Sequence, residues 1–172
     1  MSEIAVPAAA RKLVDRLADP AKRDHALAEI DALGPAVVPA MREGLRDGRW
    51  EVRRWCAYYF DRHADTTSLP LLIPLLRDPK SKVRLFAVHS LTCEHCKPGN
   101  TPLDVVPVLI ERIEDDDSIR VRRMAAASLA YNRPDPRAVP VFKAILTNEK
   151  DRKLQLHARL GLHRCHEAGI AT

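Results

Sequence analysis

Glycine, aromatic residues and long apolar runs are all scarce in this sequence. Its 172 residues include six glycines and 5% aromatics, against 13 prolines. So little turn-forming glycine and strand-favouring aromatic content excludes a turn-rich all-β sandwich and favours helices punctuated by proline. Apolar stretches break within a few residues at a charge or a proline, far short of the roughly 20 needed to cross a bilayer, so no membrane span is expected. The apolar run after Met1 precedes the first basic residue, Arg11, and is broken by Pro7, which is not the charge order of a secretion signal. Cys56, Cys93, Cys96 and Cys165 give no dense disulfide framework, and a chain of this size does not need one. A reducing cytoplasm is the expected location. The glycines form neither G-x-x-x-x-G-K nor G-x-G-x-x-G, which excludes the common phosphate cradles. No convincing Ser-His-Asp set stands out either.

What is present is 46% hydrophobic and 30% charged residues, with a net charge of +5 and a pI near 9.2. That is ordinary globular composition, with a bias toward acidic partners. An aliphatic residue followed by proline recurs at Val6-Pro7, Val38-Pro39, Leu69-Pro70, Val106-Pro107 and Val139-Pro140, at proline spacings of 32, 31, 37 and 33. Five units of that length fill the chain, at residues 5–34, 35–64, 65–97, 101–132 and 135–169 of a single domain, 1–172.

Two and six residues after the proline come apolar pairs at helical spacing: Met41 and Leu45, Leu72 and Leu76, Leu109 and Ile113, Phe142 and Leu146. These define a first helix, A, with proline tolerated near its start. A second helix, B, starts at Val52, Val83, Val121 and Leu154. Counting that residue as position 0, a small residue sits at +4 (Cys56, Ala87, Ala125, Ala158) and an apolar one at +8 (Phe60, Leu91, Leu129, Leu162). Trp55, Phe86 and Met124 at +3 are expected to complete a buried stripe, which His157 interrupts in the last unit. The first unit is an atypical cap, with helix A through Leu17 and helix B around residues 26–33.

The segments 69–91, LPLLIPLLRDPKSKVRLFAVHSL, and 106–129 resemble HEAT repeats of the bacterial HEAT-like, phycobilin-lyase-repeat type, and the resemblance covers nearly the whole chain. It implies an all-α fold, a right-handed α-α superhelix of about five helix pairs. It also implies binding rather than catalysis by default. In such repeats an aspartate and an arginine of neighbouring units form a ladder. The resemblance therefore implies pairing of Arg53, Arg84 and Arg122, at +1, with Asp47, Asp78 and Asp115 or Asp117. The acidic run at residues 114–117 is expected to be a solvated turn that caps helix B and offsets Arg120, Arg122 and Arg123.

In the resembled fold the B helices line the concave surface. The B segments at residues 52–63, 82–92, 119–130 and 151–166 carry net charges of +2, +2, +3 and +3, while the A helices carry no positive excess. Positions +2, +5, +6 and +9 lie opposite the expected stripe. They include Arg54, Tyr58, Leu85, His89, Arg123, Leu156, Arg159 and Leu160, the candidate partner-binding residues. Only three of these sixteen positions are Arg or Lys. That mixture suits a protein partner with a few acidic anchors better than a phosphate backbone. A scaffold or adaptor that binds protein is therefore the leading expectation, with Arg54, Tyr58 and Arg62 as its centre. Nucleic-acid binding through the basic B face is the alternative, and a phycobilin-lyase-like accessory role, suggested by the family name alone, is the second.

Cys93-Glu-His-Cys96 is the one departure that carries chemistry, in the connection that lengthens the proline spacing to 37, ahead of a helix start at Thr101-Pro102. With His89 one turn before Cys93 and His95 inside the motif, Cys93 and Cys96 can chelate zinc or cycle as a dithiol. Against zinc, a second Cys-x-x-Cys is missing; against redox, the strand-to-helix setting is missing. The expectation is incidental thiols and no cofactor. The HEAT-type hydroxylases need repeated His-Glu pairs, and only His166-Glu167 occurs. The HEAT-like DNA glycosylases are echoed only by Trp50, Trp55 and Asp61. No turnover is expected.

Overall fold

The computed structural model describes residues 7–63, 67–93 and 103–172, and every regular element among them is helical. The chain divides into two compact units, Met1–Ala87 and Val88–Thr172, with the boundary inside one helix. The first unit holds α1 (Ala8–Arg16), α2 (Pro20–Leu33), α3 (Val38–Gly44), α4 (Trp50–Arg62) and the start of α5 (Ser81–Thr92). The second holds the end of α5, then α6 (Val106–Asp115), α7 (Ile119–Tyr131), α8 (Ala138–Asn148) and α9 (Arg152–Glu167). Consecutive A and B helices pack on each other as α1 with α2, α3 with α4, α6 with α7 and α8 with α9.

Local chemistry sets the helix ends. The Asp19 carboxylate accepts the Ala21 N–H at 3.0 Å to start α2, and Gly34, at φ 56°, ends it in a conformation that costs a residue with a Cβ. Asp151 starts α9 by accepting from the Lys153 and Leu154 N–H groups. The fourth A helix starts at Val106; Thr101 and Pro102 lie outside the described residues, and Leu103 to Val105 precede the helix as non-helical chain. The third A segment is not an α-helix. It forms two 3₁₀ turns, Leu69–Leu72 and Pro74–Arg77, because Pro74 has no N–H for the bond back to residue 70. Its apolar pair, Leu72 and Leu76, is nevertheless fully buried.

The core follows the expected register at positions 0 and +4: Val52 and Cys56, Val83 and Ala87, Val121 and Ala125, Leu154 and Ala158 are all fully buried. At +8, Phe60, Leu91 and Leu129 are buried and Leu162 is half-buried. Position +3 departs from expectation. Trp55, Phe86, Met124 and His157 are only half-buried, whereas Ala57, Val88 and Ala126 at +5 and Asp61, Thr92 and Ala130 at +9 are buried. The buried arc is thus turned by roughly 70° from that of a lone amphipathic helix at 100° per residue. In α7 lateral packing accounts for this, as it packs against α9 as well as α6. In α9, the last helix, Arg159 and His163 at the same positions are exposed.

The aspartate–arginine ladder is present, in a corrected register. The Arg53 guanidinium donates from Nε and Nη2 to the two Asp78 carboxylate oxygens at 2.6 and 3.1 Å, and from Nη1 to the Asp47 carbonyl at 2.8 Å. Arg84 donates to the Asp78 carbonyl at 2.8 Å. Arg122 donates from Nε to the Ile113 carbonyl at 2.7 Å and pairs through Nη2 with the Glu149 carboxylate. The ladder carboxylates stand five residues before each B anchor, at Asp47, Asp78, Asp116 and Glu149. Neither Asp115 nor Asp117 takes this position; both are exposed, while Asp116 is buried and accepts the Ser118 N–H at 2.9 Å. The acidic run is therefore solvated except at the residue that builds the turn.

Two glycines mark close packing. A Cβ on Gly161 would lie 2.3 Å from Cε2 of the buried Phe142 ring, and one on Gly44 would lie 2.4 Å from Cys56 Sγ. Gly161→Ala is expected to lower unfolding stability by about 1–3 kcal/mol in urea titrations, despite alanine's higher helix propensity, because the ring has to move. Asp78→Ala strands the Arg53 guanidinium and is expected to cost about 3–5 kcal/mol. Arg11→Ala, which removes an exposed pair with Glu43, is expected to change stability by less than about 1 kcal/mol in the same assay.

Candidate functional site

Rotation of the buried arc leaves positions +2, +3 and +6 as the half-exposed ridge of each B helix. In the first unit this ridge consists of Arg54, Trp55 and Tyr58 from α4 and Leu85 and Phe86 from α5. The three aromatic rings interlock: Tyr58 stands edge-on to Trp55 at 5.4 Å and to Phe86 at 5.6 Å, and Trp55 lies 6.3 Å from Phe86. Guanidinium groups cover them. Arg54 lies 4.7 Å from the Trp55 ring centre and 4.9 Å from that of Phe86, Arg62 lies 5.3 Å from Tyr58, and Arg23 of α2 reaches Trp55 at 4.7 Å. Cations over aromatic faces are attracted by the ring quadrupole, most strongly where water is displaced.

The electrostatics of this cluster are one-sided. Burial, and then the neighbouring Arg23 cation, hold the Arg54 guanidinium below its usual basicity. Among the described residues no carboxylate pairs with Arg54, and the ion pair of Arg23 is with the exposed Asp24 at 4.0 Å. The Nε atoms of both arginines and the Trp55 indole Nε1 are buried without an acceptor.

The second unit's ridge differs. Arg123 is engaged: its Nε donates to Asp151 at 3.0 Å, and with the backbone caps of α9 this pairing holds the Asp151 carboxyl far below the usual range. Leu156 is 59% exposed, Leu160 is half-buried, and Arg159 reaches only Gln155 at 3.5 Å. His89 lines a shallow apolar groove of about 350 Å³ with Cys93, Met124, Ala127 and Tyr131. Under it, the Thr92 and Ser128 hydroxyls lie 2.7 Å apart, and Thr92 also donates to the Val88 carbonyl.

Of the predicted partner-binding residues, the structure thus brings Arg54, Tyr58 and Leu85 onto one ridge and commits Arg123 to a salt bridge. Of the zinc candidates, His89 and Cys93 sit one turn apart, with the Cys93 N–H donating to the His89 carbonyl at 2.9 Å, while His95 and Cys96 lie outside the described residues. Cys56 and Cys165 are buried, and burial pushes both thiols up, away from nucleophilic reactivity. Sequence reasoning missed Arg23 and the exposure of Trp55 and Phe86. The signal for Arg23 was available: buried Ala26 and Ile30 fall at +4 and +8, which puts Arg23 at +1, the ladder position. Its ladder carboxylate, Asp47, is instead held by Arg49, through Nε at 2.9 Å and Nη2 at 2.7 Å, and Arg49 also binds Asp15 at 2.6 Å.

His157, on the ridge of α9, lies edge-on to Tyr131 at 6.0 Å with its Nδ1 buried and unpartnered. Burial first, then Lys153 and Arg123, lower its pKa from 6.5, only partly offset by Asp151. Between the unfolded and folded values the unfolded chain binds more protons, so folding stability falls as pH drops below 6.5 and levels off below the folded value. Urea midpoints across pH 5–8 are expected to show this slope in the wild type and a weaker one in His157→Gln.

Among the described residues, no helix is long and apolar enough to cross a membrane. No curated protein matches the chain. A family model described as HEAT repeats matches residues 8–92 and, again, residues 69–163. These two matches overlap and span the paired helices, the ladder and both ridges, and on them the chain belongs to the HEAT-repeat family.

Proposed function

We propose that this chain is a non-enzymatic scaffold that binds a partner protein through the ridge of its B helices. HEAT repeats commonly serve as protein-interaction scaffolds, and the family is generally non-enzymatic. The observation that carries the reading is the Arg54, Trp55, Tyr58 and Phe86 cluster. It is a half-exposed patch of tyrosine, tryptophan and arginine, the residue types that dominate binding energy at protein interfaces. Ridge positions are apolar at Leu85 and Leu156 (+2) and at Leu160 (+6), which gives contact area without a continuous track of charge for a phosphate backbone.

The test is mass spectrometry of what co-purifies with the tagged chain from its native host, with nuclease present and Arg54→Ala/Tyr58→Ala as control. A protein captured by the wild type and lost in the double variant is the expected result, with a capture that weakens only slightly between 50 and 200 mM salt. Loss of every partner on nuclease treatment would put nucleic acid in place of protein. Thermal melting guards the comparison. Tyr58 gives up two edge-on ring contacts worth about 0.5–1.5 kcal/mol each, so the variant is expected to stay folded.

A further inference from the structure

We infer that Arg23, Arg54 and Trp55 form a carboxylate-binding subsite that receives an aspartate or glutamate side chain from an acidic segment of the partner protein. The inference rests on the scaffold reading and specifies the chemistry of what is bound. Arg23 occupies the register in which Arg53 and Arg122 each hold a carboxylate, but Arg49 has taken Asp47 out of that arrangement. Arg23 turns instead to Trp55, where it meets Arg54, which has no carboxylate of its own among the described residues. Two guanidinium groups thus share one indole ring, and three buried donors, both Nε atoms and the indole Nε1, have no acceptor.

Two adjacent cations without a shared counter-ion are unfavourable in isolation and are relieved by an anion whose paired oxygens meet the half-exposed guanidinium groups. A carboxylate matches the guanidinium fork in that way, and its pairing strengthens in a half-buried setting. The surroundings select among anions. The Trp55 ring carries Arg23 and Arg54, and Phe86 carries Arg54, so these rings are already engaged by side chains of the chain itself and offer a nucleobase no bare stacking platform. Leu85, Tyr58 and Phe86 beside the cations offer an apolar seat that suits the neighbouring side chains of a peptide.

The probe is a random twelve-residue peptide library displayed on phage and selected on the immobilised full-length chain. Enriched peptides are expected to contain Asp or Glu, to lose at least tenfold in affinity when that residue is changed to Asn or Gln, and to bind Arg23→Met/Arg54→Met at least tenfold more weakly. The methionines keep aliphatic stems over Trp55, and the melting temperature of this variant is expected to match or exceed the wild type, because a like-charge pair is removed. Arg23→Lys/Arg54→Lys, which keeps the charge without the fork, provides a second comparison and is expected to bind with intermediate affinity. Enrichment of acid-free peptides, or equal binding of acidic peptides by wild type and variants, overturns the subsite and leaves the scaffold reading standing. No enrichment, with capture of a single-stranded oligonucleotide instead, overturns both.

Discussion

Two boundaries between repeats are each tied by a single side chain, an arginine just inside the start of a B helix. At that place a cation opposes the helix dipole, so it persists only where something nearby favours it more strongly. Arg53 meets that condition by bridging its own repeat's turn carbonyl and the next repeat's carboxylate, with the Asp78 side chain almost wholly buried. Arg122 does the same with Ile113 and Glu149. Even Gln155, which carries no charge, donates to the carbonyl of Glu149, five positions before its helix anchor. Fixing the turn and the neighbour with one guanidinium sets the spacing at which small residues at +4 let helices approach. Gly44 and Gly161 show how little slack that spacing leaves.

Periodicity made the helix pairs and most of the core legible before any coordinates. Val52, Cys56 and Phe60, and Val83, Ala87 and Leu91, are buried as their spacing requires. The rotation of the buried arc was not legible. A hydrophobic stripe records only that a face is apolar, and alanines at +5 serve a flank packed against a neighbour as well as they serve an open groove. Trp55 and Phe86 read as core because +3 falls on the same helical face as 0, +4 and +8. Their half-exposure belongs to the same turn of the buried arc, in which Ala57, Asp61, Val88 and Thr92 at +5 and +9 are buried instead. The misplacement of the Asp116 ladder position has a similar origin: counting from the proline measures helix A, whereas the ladder register is tied to helix B, and the stretch from Pro107 to Val121 is one residue longer than that from Pro70 to Val83.

The candidate site was legible in part, for an instructive reason. Arg54 and Tyr58 announced themselves by standing at non-core positions beside other arginines. Arg23 lay hidden in the atypical first unit, where only the spacing of Ala26 and Ile30 reveals its register. The charge bias of the B helices also proved divisible once partners were known. Arg53, Arg122 and Arg123 are spent on carboxylates, so much of the positive charge counted along the sequence is internal to the fold.

That distinction bears on how a repeat protein acquires a binding site without a new fold. A ladder needs one carboxylate for each arginine, and at the first unit the balance is altered by a single competing residue, Arg49, which holds both Asp47 and Asp15. The arginine so displaced keeps its charge without a ladder carboxylate; its ion pair is with the exposed Asp24 at 4.0 Å, and its guanidinium lies over the Trp55 ring. Exposed aromatic and cationic groups elsewhere on the ridge are ordinary, because water satisfies them. The Trp55 cluster differs in that its two cations are adjacent and neither Nε has a hydrogen-bond partner. The mismatch lies on the half-exposed face of the B helices, where an incoming carboxylate supplies the kind of pairing that Arg53 finds in Asp78 and Arg122 in Glu149.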